Sequence, residues 1–171
     1  MTAVAMVPVL PHKLTLPRVP IGSRREVADI VQAARLATPM ELVELERQGV
    51  PGSFIRDLSR AMDLPAGRLF AILGVPKATA ERKLADGALV KGNGGRAALG
   101  MARLLGLAQA IVADSTASGA ENFDSAKWLG QWIERPQPAL GGRKPADILD
   151  TAAGLDAVLR LLGSIESGAY Q

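Results

Sequence analysis

Apolar residues recur at helical spacing along most of this chain, and no segment alternates strictly between apolar and polar positions. The clearest helix lies between residues 101 and 112. Its apolar side chains fall at i, i+3, i+4, i+7, i+10 and i+11, namely Met101, Leu104, Leu105, Ala108, Ile111 and Val112. This spacing predicts one continuous apolar face. With no credible pair of strands, the pattern predicts an all-α fold.

Capping residues mark where the first helices begin. Ser23 with Glu26 has the spacing of a capping box, and Thr38-Pro39 has the form of an N-cap followed by proline at the first helical position. The second of these helices is expected to stop near Gly49. The 22 residues before Ser23 contain four prolines at a spacing that no helix tolerates, so we expect a flexible N-terminal arm, with His12 in it solvated.

Further helices are predicted to open at Pro51 and at Pro65, and a third, basic helix follows a break at Gly74 and runs to about residue 86. The glycine-rich stretch 91–95 is expected to form a turn before the long helix. A phosphate-binding loop there is disfavoured, because no strand precedes it and no Gly-Lys-Ser/Thr follows.

Two longer helices are expected beyond residue 119, with a one-turn helix between them that opens at Pro145. The first holds Trp128 and Trp132, which are either core anchors or an interface hot spot. Asp150-Thr151 caps the last helix, which Gly168 ends, and five apolar residues form its inward face: Leu155, Val158, Leu159, Leu162 and Ile165.

Composition removes several classes of function. The chain has no cysteine and one histidine. It therefore lacks the residues that a thiolate zinc site or a thiol nucleophile requires, and has almost none for a histidine-centred catalytic relay. No metal or cofactor is expected. The longest uncharged apolar run, 104–113, is shorter than the ~20 residues that span a bilayer. We therefore expect a cytoplasmic protein without membrane contact.

Charge is distributed unevenly along the chain. Residues 1–110 hold 15 basic and nine acidic residues, whereas residues 111–171 hold five and eight. The first part is therefore net +6 and the second net −3. A basic part joined to an acidic part predicts two surfaces with different partners, the first partner being a polyanion. Two ordinary solvated helix faces would give the same charges.

The segment from Arg68 to Leu84 has the form of a helix-turn-helix, with Gly74 in the turn and a cationic second helix. Such a helix presents polar residues to the DNA major groove, while nearby cations bind phosphates. Phe70 fits poorly, because the helix crossing normally requires a small residue there. The candidate base-facing residues are Lys77, Ala78, Glu81 and Arg82, and the candidate phosphate-binding residues are Lys83, Lys91 and Arg96.

The C-terminal segment, roughly residues 120–171, resembles the toxin-binding domain of the Xre/MbcA/ParS antitoxins. The resemblance rests on Trp128-Leu129, the run Pro136-Gln137-Pro138-Ala139-Leu140-Gly141-Gly142, Pro145, Asp147-Ile148-Leu149, Thr151, Gly154, Val158, Leu162, Ile165, Gly168 and Tyr170. The chain departs from the family at Gln137, usually asparagine, and at Lys144, usually threonine or serine. The preceding helices resemble the family's Xre-like half.

The resemblance implies a domain plan and a role. The plan is an arm over 1–22, an Xre-like helical region for DNA binding and dimerisation over 23–114 with its helix-turn-helix at about 65–86, and a small helical toxin-binding domain over 115–171. Family members neutralise RES-domain toxins, which consume NAD by glycohydrolysis, phosphorolysis or ADP-ribosyl transfer. The antitoxin catalyses nothing, covers the toxin's active site, and represses its own operon by binding operator DNA.

The implied partners are therefore a cognate RES-domain toxin and operator DNA, with a homodimer inside a larger toxin–antitoxin complex. Acidic side chains suit a basic nucleotide pocket, and the tail is either a plug for that pocket or a frayed terminus. The Leu140–Arg143 turn approaches either the chain's own helices or the partner. The candidate toxin-binding residues are Trp132, Leu140, Gly141, Gly142, Arg143, Lys144, Asp147, Glu166, Tyr170 and Gln171.

Two other functions compete with this one. A stand-alone helix-turn-helix regulator would use its C-terminal helices only to dimerise or sense a ligand, and would lose all activity without Lys77 and Arg82. An enzyme is disfavoured, because Ile148 and Leu149 lie between Asp147 and Asp150, Asp150 can cap the last helix, and no nucleophile motif is present.

Overall fold

The computed structural model describes residues 24–85, 87–115 and 122–166. The expected arm, His12, the Ser23 cap and the end of the last helix at Gly168 lie outside these residues. Within them the fold is all-α, as predicted. The elements are α1 (Arg24–Leu36), α2 (Pro39–Gln48), β1 (Val50–Pro51), α3 (Gly52–Ala61), α4 (Ala66–Ile72), α5 (Lys77–Ala85), β2 (Leu89–Val90), α6 (Gly92–Ala113), α7 (Ser125–Ile133) and α8 (Ala152–Glu166).

The predicted cap of α2 is present. The Thr38 hydroxyl accepts a hydrogen bond from the backbone N–H of Glu41, and the Glu41 carboxylate accepts one from the Thr38 N–H at 2.8 Å. This reciprocal pair satisfies two donors that a helix N-terminus would otherwise leave open. Pro51 precedes α3 and Pro65 precedes α4, also as predicted.

The long helix α6 differs from its prediction in two respects. It begins at Gly92, so the glycine-rich stretch lies in its first turn rather than in a separate loop. It is also buried on more than one face, because its small residues admit neighbouring helices. Gly100 contacts Leu155 of α8, and the side chain of Arg35 in α1 lies over Gly106. The apolar periodicity showed only the face made by large side chains.

A pair of two-residue strands was not predicted. β1 and β2 are antiparallel, with Val50 opposite Val90 and Pro51 opposite Leu89. Strands this short carry no readable alternation in sequence. The pair joins the start of α3 to the segment after α5, and so closes the helix-turn-helix unit.

The C-terminal part packs against α6 through α7 and α8. Between them lie two short 3-10 turns, Pro138–Leu140 and Pro145–Asp147. The Thr151 hydroxyl accepts from the Gly154 N–H at 3.0 Å and so caps α8, as predicted. Ile165 is a correction, because it is exposed whereas Leu161 is buried.

One continuous hydrophobic core joins all the helices of the described residues, from Val27 in α1 to Leu162 in α8. Its centre is α6, which touches α1, α2, α7, α8 and both strands. By length and composition α6 could cross a membrane, but 56% of its apolar window is buried inside the protein. A core helix has these properties.

Candidate functional site

Helix α5 presents the predicted base-facing residues on one open surface. Ala80 is its buried residue, and it anchors the helix to the core. Lys77, Ala78, Glu81 and Arg82 are exposed and Lys83 is half-buried. Lys77 forms a loose i,i+4 ion pair with Glu81, with 3.9 Å between Nζ and Oε1. A pair this exposed contributes little to stability, so it leaves both groups available to a partner.

The turn between α4 and α5 is held by buried apolar residues, as the sequence predicted. Leu73 and Val75 are buried on either side of Gly74. Phe70, which looked too large for the helix crossing, is also buried, 2% exposed, within the common core. The ring is accommodated there and does not interrupt α4.

Lys91 and Arg96 lie at the start of α6, but they differ in availability. Lys91 is exposed at the N-cap. Arg96 faces the C-terminal part, where its Nη2 donates to the carbonyl of Asp150 at 3.2 Å and its Nη1 is buried. Part of the Arg96 guanidinium is therefore engaged within the chain, and its contact with phosphate stays a prediction.

The second candidate surface is the segment between α7 and α8, residues 134–151, which we name the clasp loop. Its first half is closed by two backbone hydrogen bonds. Gln137 donates to the Arg143 carbonyl, and its own carbonyl accepts from Gly142, both at 3.0 Å. Gly141 and Gly142 adopt φ of 65° and 79°, which other residues reach only with strain. The loop is therefore a defined structure.

A charged network fixes the clasp loop to the helix-turn-helix. Glu134, at the end of α7, accepts from Arg68 of α4 at 2.6 Å (Nε) and 3.0 Å (Nη2). Lys144 places its Nζ 3.5 Å from the Oε2 of Glu134, the same oxygen that accepts from the Nη2 of Arg68. A bidentate guanidinium–carboxylate pair of this kind constrains direction as well as distance.

The same network shifts the pKa values of Glu134 and Arg68. The hydrogen bond from Arg68 holds the pKa of Glu134 below its usual range, with the charges of Arg68 and Lys144 acting in the same direction and desolvation opposing them. The pKa of Arg68 is raised, chiefly by the same hydrogen bond. Glu134 is thus an anion throughout the neutral range, and it holds two cations.

The predicted toxin-binding residues differ in how far they reach the surface. Gly141, Gly142, Arg143 and Asp147 are exposed, Lys144 is half-buried, and Leu140 packs against the core. Of the remaining residues, Tyr170 and Gln171 lie outside the described part of the chain, and nothing is described of the Glu166 side chain.

The tryptophans separate into one buried and one half-buried ring. Trp132 is 7% exposed, so it acts as a core anchor and offers a partner very little surface. Trp128 stacks on it, with 5.8 Å between ring centroids, and Phe123 lies 6.1 Å from Trp128. Phe123 is exposed, and together with Trp128 it forms an aromatic edge that the predicted set omitted.

Comparisons with known proteins agree with this division into two surfaces. A family model described as the antitoxin Xre/MbcA/ParS C-terminal toxin-binding domain matches residues 118–168. A second, described as the antitoxin Xre-like helix-turn-helix domain, matches residues 41–91. A protein from Sphingobium sp. (strain YBL2), named Prs ADP-ribosylating antitoxin, is 32% identical over 134 residues, covering 78% of this chain and 83% of that protein.

This chain belongs to the Xre/MbcA/ParS antitoxin family. In this antitoxin the first match spans α7, the clasp loop and α8, and the second spans most of α2 through β2. Helix α6 lies between the matched ranges and packs against both. The resemblance inferred from sequence is thereby confirmed.

Sequence reasoning missed Arg68 and Glu134 as parts of the antitoxin's C-terminal surface. They are separated by 66 positions, so no local pattern connects them. The available signals were weak: each is a charged residue at the edge of an apolar helix. Among the described residues, no group of three or more potential metal ligands comes together.

Proposed function

We propose that this chain neutralises a RES-domain toxin by covering its active site with the clasp loop and α8. The observation that carries the proposal is that the toxin-binding family match falls on a segment that pairs a hydrogen-bonded loop with exposed charged side chains. A loop already fixed before binding loses little conformational entropy when it docks, which favours tight association.

The charges of this surface suit a nucleotide pocket. Asp147, Asp150 and Asp156 are exposed around the clasp loop and the first turns of α8. A pocket that binds the pyrophosphate of NAD is expected to be basic, so carboxylates would be attracted to its rim. Arg143 adds a cation that can pair with an acidic group beside the pocket.

The partner toxin is proposed to use NAD as a donor of ADP-ribose. This choice among the three chemistries of such toxins follows the name of the Sphingobium relative, which refers to ADP-ribosylation and to Prs. The chain itself is proposed to carry out no chemistry and to act in the cytoplasm. Its role is to occupy the site where the toxin binds its substrate.

The second proposed activity is autorepression. Helix α5 offers exposed Lys77 and Arg82 to the major groove, and the exposed Lys91 and half-buried Lys83 lie where they can bind phosphates. We propose that a homodimer binds operator DNA in this way. The competing function is a stand-alone regulator of the same architecture, in which the C-terminal helices bind no toxin.

Co-expression with the product of the adjacent toxin gene separates these functions. Growth, NAD content and ADP-ribosylated protein are measured with the full chain and with Arg143→Glu combined with Asp147→Arg. We expect rescue by the full chain and binding at least tenfold weaker for the double variant, because each substitution would place a like charge against the group with which the native side chain pairs.

Arg82→Glu is the matched charge reversal on α5. It should abolish operator binding in a gel-shift assay while leaving rescue unchanged. A chain truncated after Ile165 tests the predicted contributions of Glu166, Tyr170 and Gln171. Failure of the full chain to rescue growth, with intact operator binding, would establish the stand-alone regulator instead.

A further inference from the structure

An apolar surface lies at the corner between α1 and α2, far along the chain from the clasp loop. Leu36, at the end of α1, is 63% exposed and Met40, in the first turn of α2, is 71% exposed. They are the most exposed large apolar side chains among the described residues. Val43, one turn beyond Met40, is half-buried. Leu36 and Met40 are four positions apart in the chain, and an exposed apolar patch made by such side chains commonly marks a protein interface.

The outward face of α2 continues this surface with two opposite charges. Met40, Val43, Glu44 and Arg47 occupy positions i, i+3, i+4 and i+7 and therefore share one side of the helix. Leu45, on the other side, is fully buried and ties α2 to the core. We name the outward set, together with Leu36, the α2 face.

The charges on the α2 face contribute little to the monomer. The Nη1 of Arg47 lies 3.0 Å from the Oε1 of Glu44, and both side chains are more than half exposed. Exposed i,i+3 pairs of this kind are worth a few tenths of a kcal/mol. Folding of the single chain therefore does not account for an apolar stripe that ends in an acid and a base.

We propose that a second copy of this chain covers the α2 face. In a twofold arrangement the same patch must supply both partners of every contact. Two antiparallel α2 helices crossing near Val43 meet this condition. The apolar stem of Arg47 would lie over Met40 of the second copy, and its guanidinium would reach the second copy's Glu44 about one turn away.

The proposal refines the homodimer of the proposed function by assigning its interface. The toxin is a less suitable occupant, because the toxin-binding match lies on α7, the clasp loop and α8. The α2 helix has ten residues and is about 15 Å long. The area buried between two such faces is therefore small for a specific interface. We expect a dissociation constant on the order of micromolar.

Charge reversal on the full chain provides the test. Light scattering coupled to gel filtration is run at concentrations from about 1 to 100 times the expected dissociation constant. The wild type should be dimeric, and Met40→Glu should be monomeric at the same concentrations. Glu44→Arg and Arg47→Glu should each weaken self-association at least tenfold, since each places four like charges across the twofold axis.

Mixing the two charge-reversal variants gives the decisive measurement. One variant presents only arginine at these positions and the other only glutamate, so the mixture should form a heterodimer that native mass spectrometry resolves by mass. If Glu44 and Arg47 pair only within their own α2 helix, the mixture should contain no heterodimer. Gln109→Arg, an exposed position on α6, is the control and should dimerise like the wild type.

Circular dichroism melts confirm that each variant is folded. A monomeric wild type, dimeric single variants, or a mixture without heterodimer would each overturn the α2 interface. The toxin assay stays separate, because Met40→Glu leaves the clasp loop intact. A dimer that fails to neutralise would reject the proposed function and keep this interface.

Discussion

Glu134 is the residue that connects the two functional surfaces. Its carboxylate accepts two hydrogen bonds from Arg68 of α4 and forms a 3.5 Å ion pair with Lys144 of the clasp loop. Losing it would remove the carboxylate that Arg68 and Lys144 share, and would leave Asp147 as the acidic group that acts on Arg68. The residue therefore sets the orientation of the loop relative to the helix-turn-helix, although it lies at the rim of both.

Replacing Glu134 with Gln should lower the free energy of unfolding by about 1 kcal/mol at neutral pH, a value kept small because the pair is partly solvated. The depressed pKa of Glu134 stabilises the fold above the ordinary value of about 4.5. This contribution disappears as the pH falls through the lowered, folded-state pKa. Denaturant titrations at neutral and acidic pH should show the difference between variant and wild type shrinking with acidity.

Glu81→Gln is the matched control, because Glu81 is exposed and its pair with Lys77 is long at 3.9 Å. It should change stability by less than about 0.5 kcal/mol at either pH. An equal loss of unfolding free energy in both variants would show that the Arg68–Glu134 pair stabilises the protein no more than an exposed ion pair does.

At the scale of single residues, the sequence predicts contacts between residues that are close together in the chain. The Thr38–Glu41 cap spans three positions and is legible as a motif. Arg68 and Glu134 meet only because α4 and the end of α7 lie side by side in the folded chain. Arg96 illustrates the reverse case, since its charge suggested phosphate binding and the fold directs it to the carbonyl of Asp150.

At the scale of elements, the clasp loop depends on backbone geometry more than on packing. A Cβ added at Gly141 or Gly142 would meet no atom within 4 Å, so steric crowding does not require glycine there. The positive φ does. The family run through Gly141-Gly142 was legible in sequence, whereas the closure of the loop through Gln137 and Arg143 required the structure.

Gly141→Ala should therefore destabilise the protein by about 1 kcal/mol, the cost of a left-handed conformation for a residue with a Cβ. It should also weaken toxin binding, because the loop relaxes away from its bound form. Calorimetric titration with the toxin and thermal melts measure the two effects.

Gly163→Ala provides the contrast. Gly163 lies in α8, also has open space for a Cβ, and has no left-handed φ. Alanine there should raise stability by about 0.5–1 kcal/mol through its better helix propensity. Similar destabilisation by both substitutions would contradict the assigned role of the Gly141 backbone.

Elements that lack a strong period were the ones mispredicted. β1 and β2 have two residues each, too few for alternation to register. The burial of α6 on more than one face was hidden because glycine adds no side chain to an apolar stripe, yet Gly100 and Gly106 permit α8 and α1 to approach. Ile165 follows the helical period but lies beyond the last contact of α8 with the core, so it is exposed.

At the scale of the whole molecule, the uneven charge corresponds to two separated surfaces on one core. The basic α5 and the clasp loop are carried by elements that share α6 as their support. The expectation of two regions came from charge and motifs, and the matches to 41–91 and 118–168 agree with it. The shared core could not be foreseen, because it depends on which helices meet on α6.

The shared core predicts one cooperative unfolding transition. Differential scanning calorimetry of the isolated chain should give equal calorimetric and van't Hoff enthalpies, since neither matched region can lose its packing on α6 alone. Leu155→Ala, at the contact between α8 and α6, should lower the whole transition by about 2–5 kcal/mol. A separate transition for the C-terminal part would show that the two regions fold independently.

The paired indole rings give this protein a built-in optical probe. Both tryptophans of the chain stand in α7 and stack on each other, with the half-buried one next to the exposed Phe123. Tryptophan emission from the free protein, excited where tyrosine does not absorb, consequently originates from a single place within the range of the toxin-binding match. Occupancy of that place can be followed without attaching a dye, and α5, the helix proposed to face DNA, contains no tryptophan that would add to the signal.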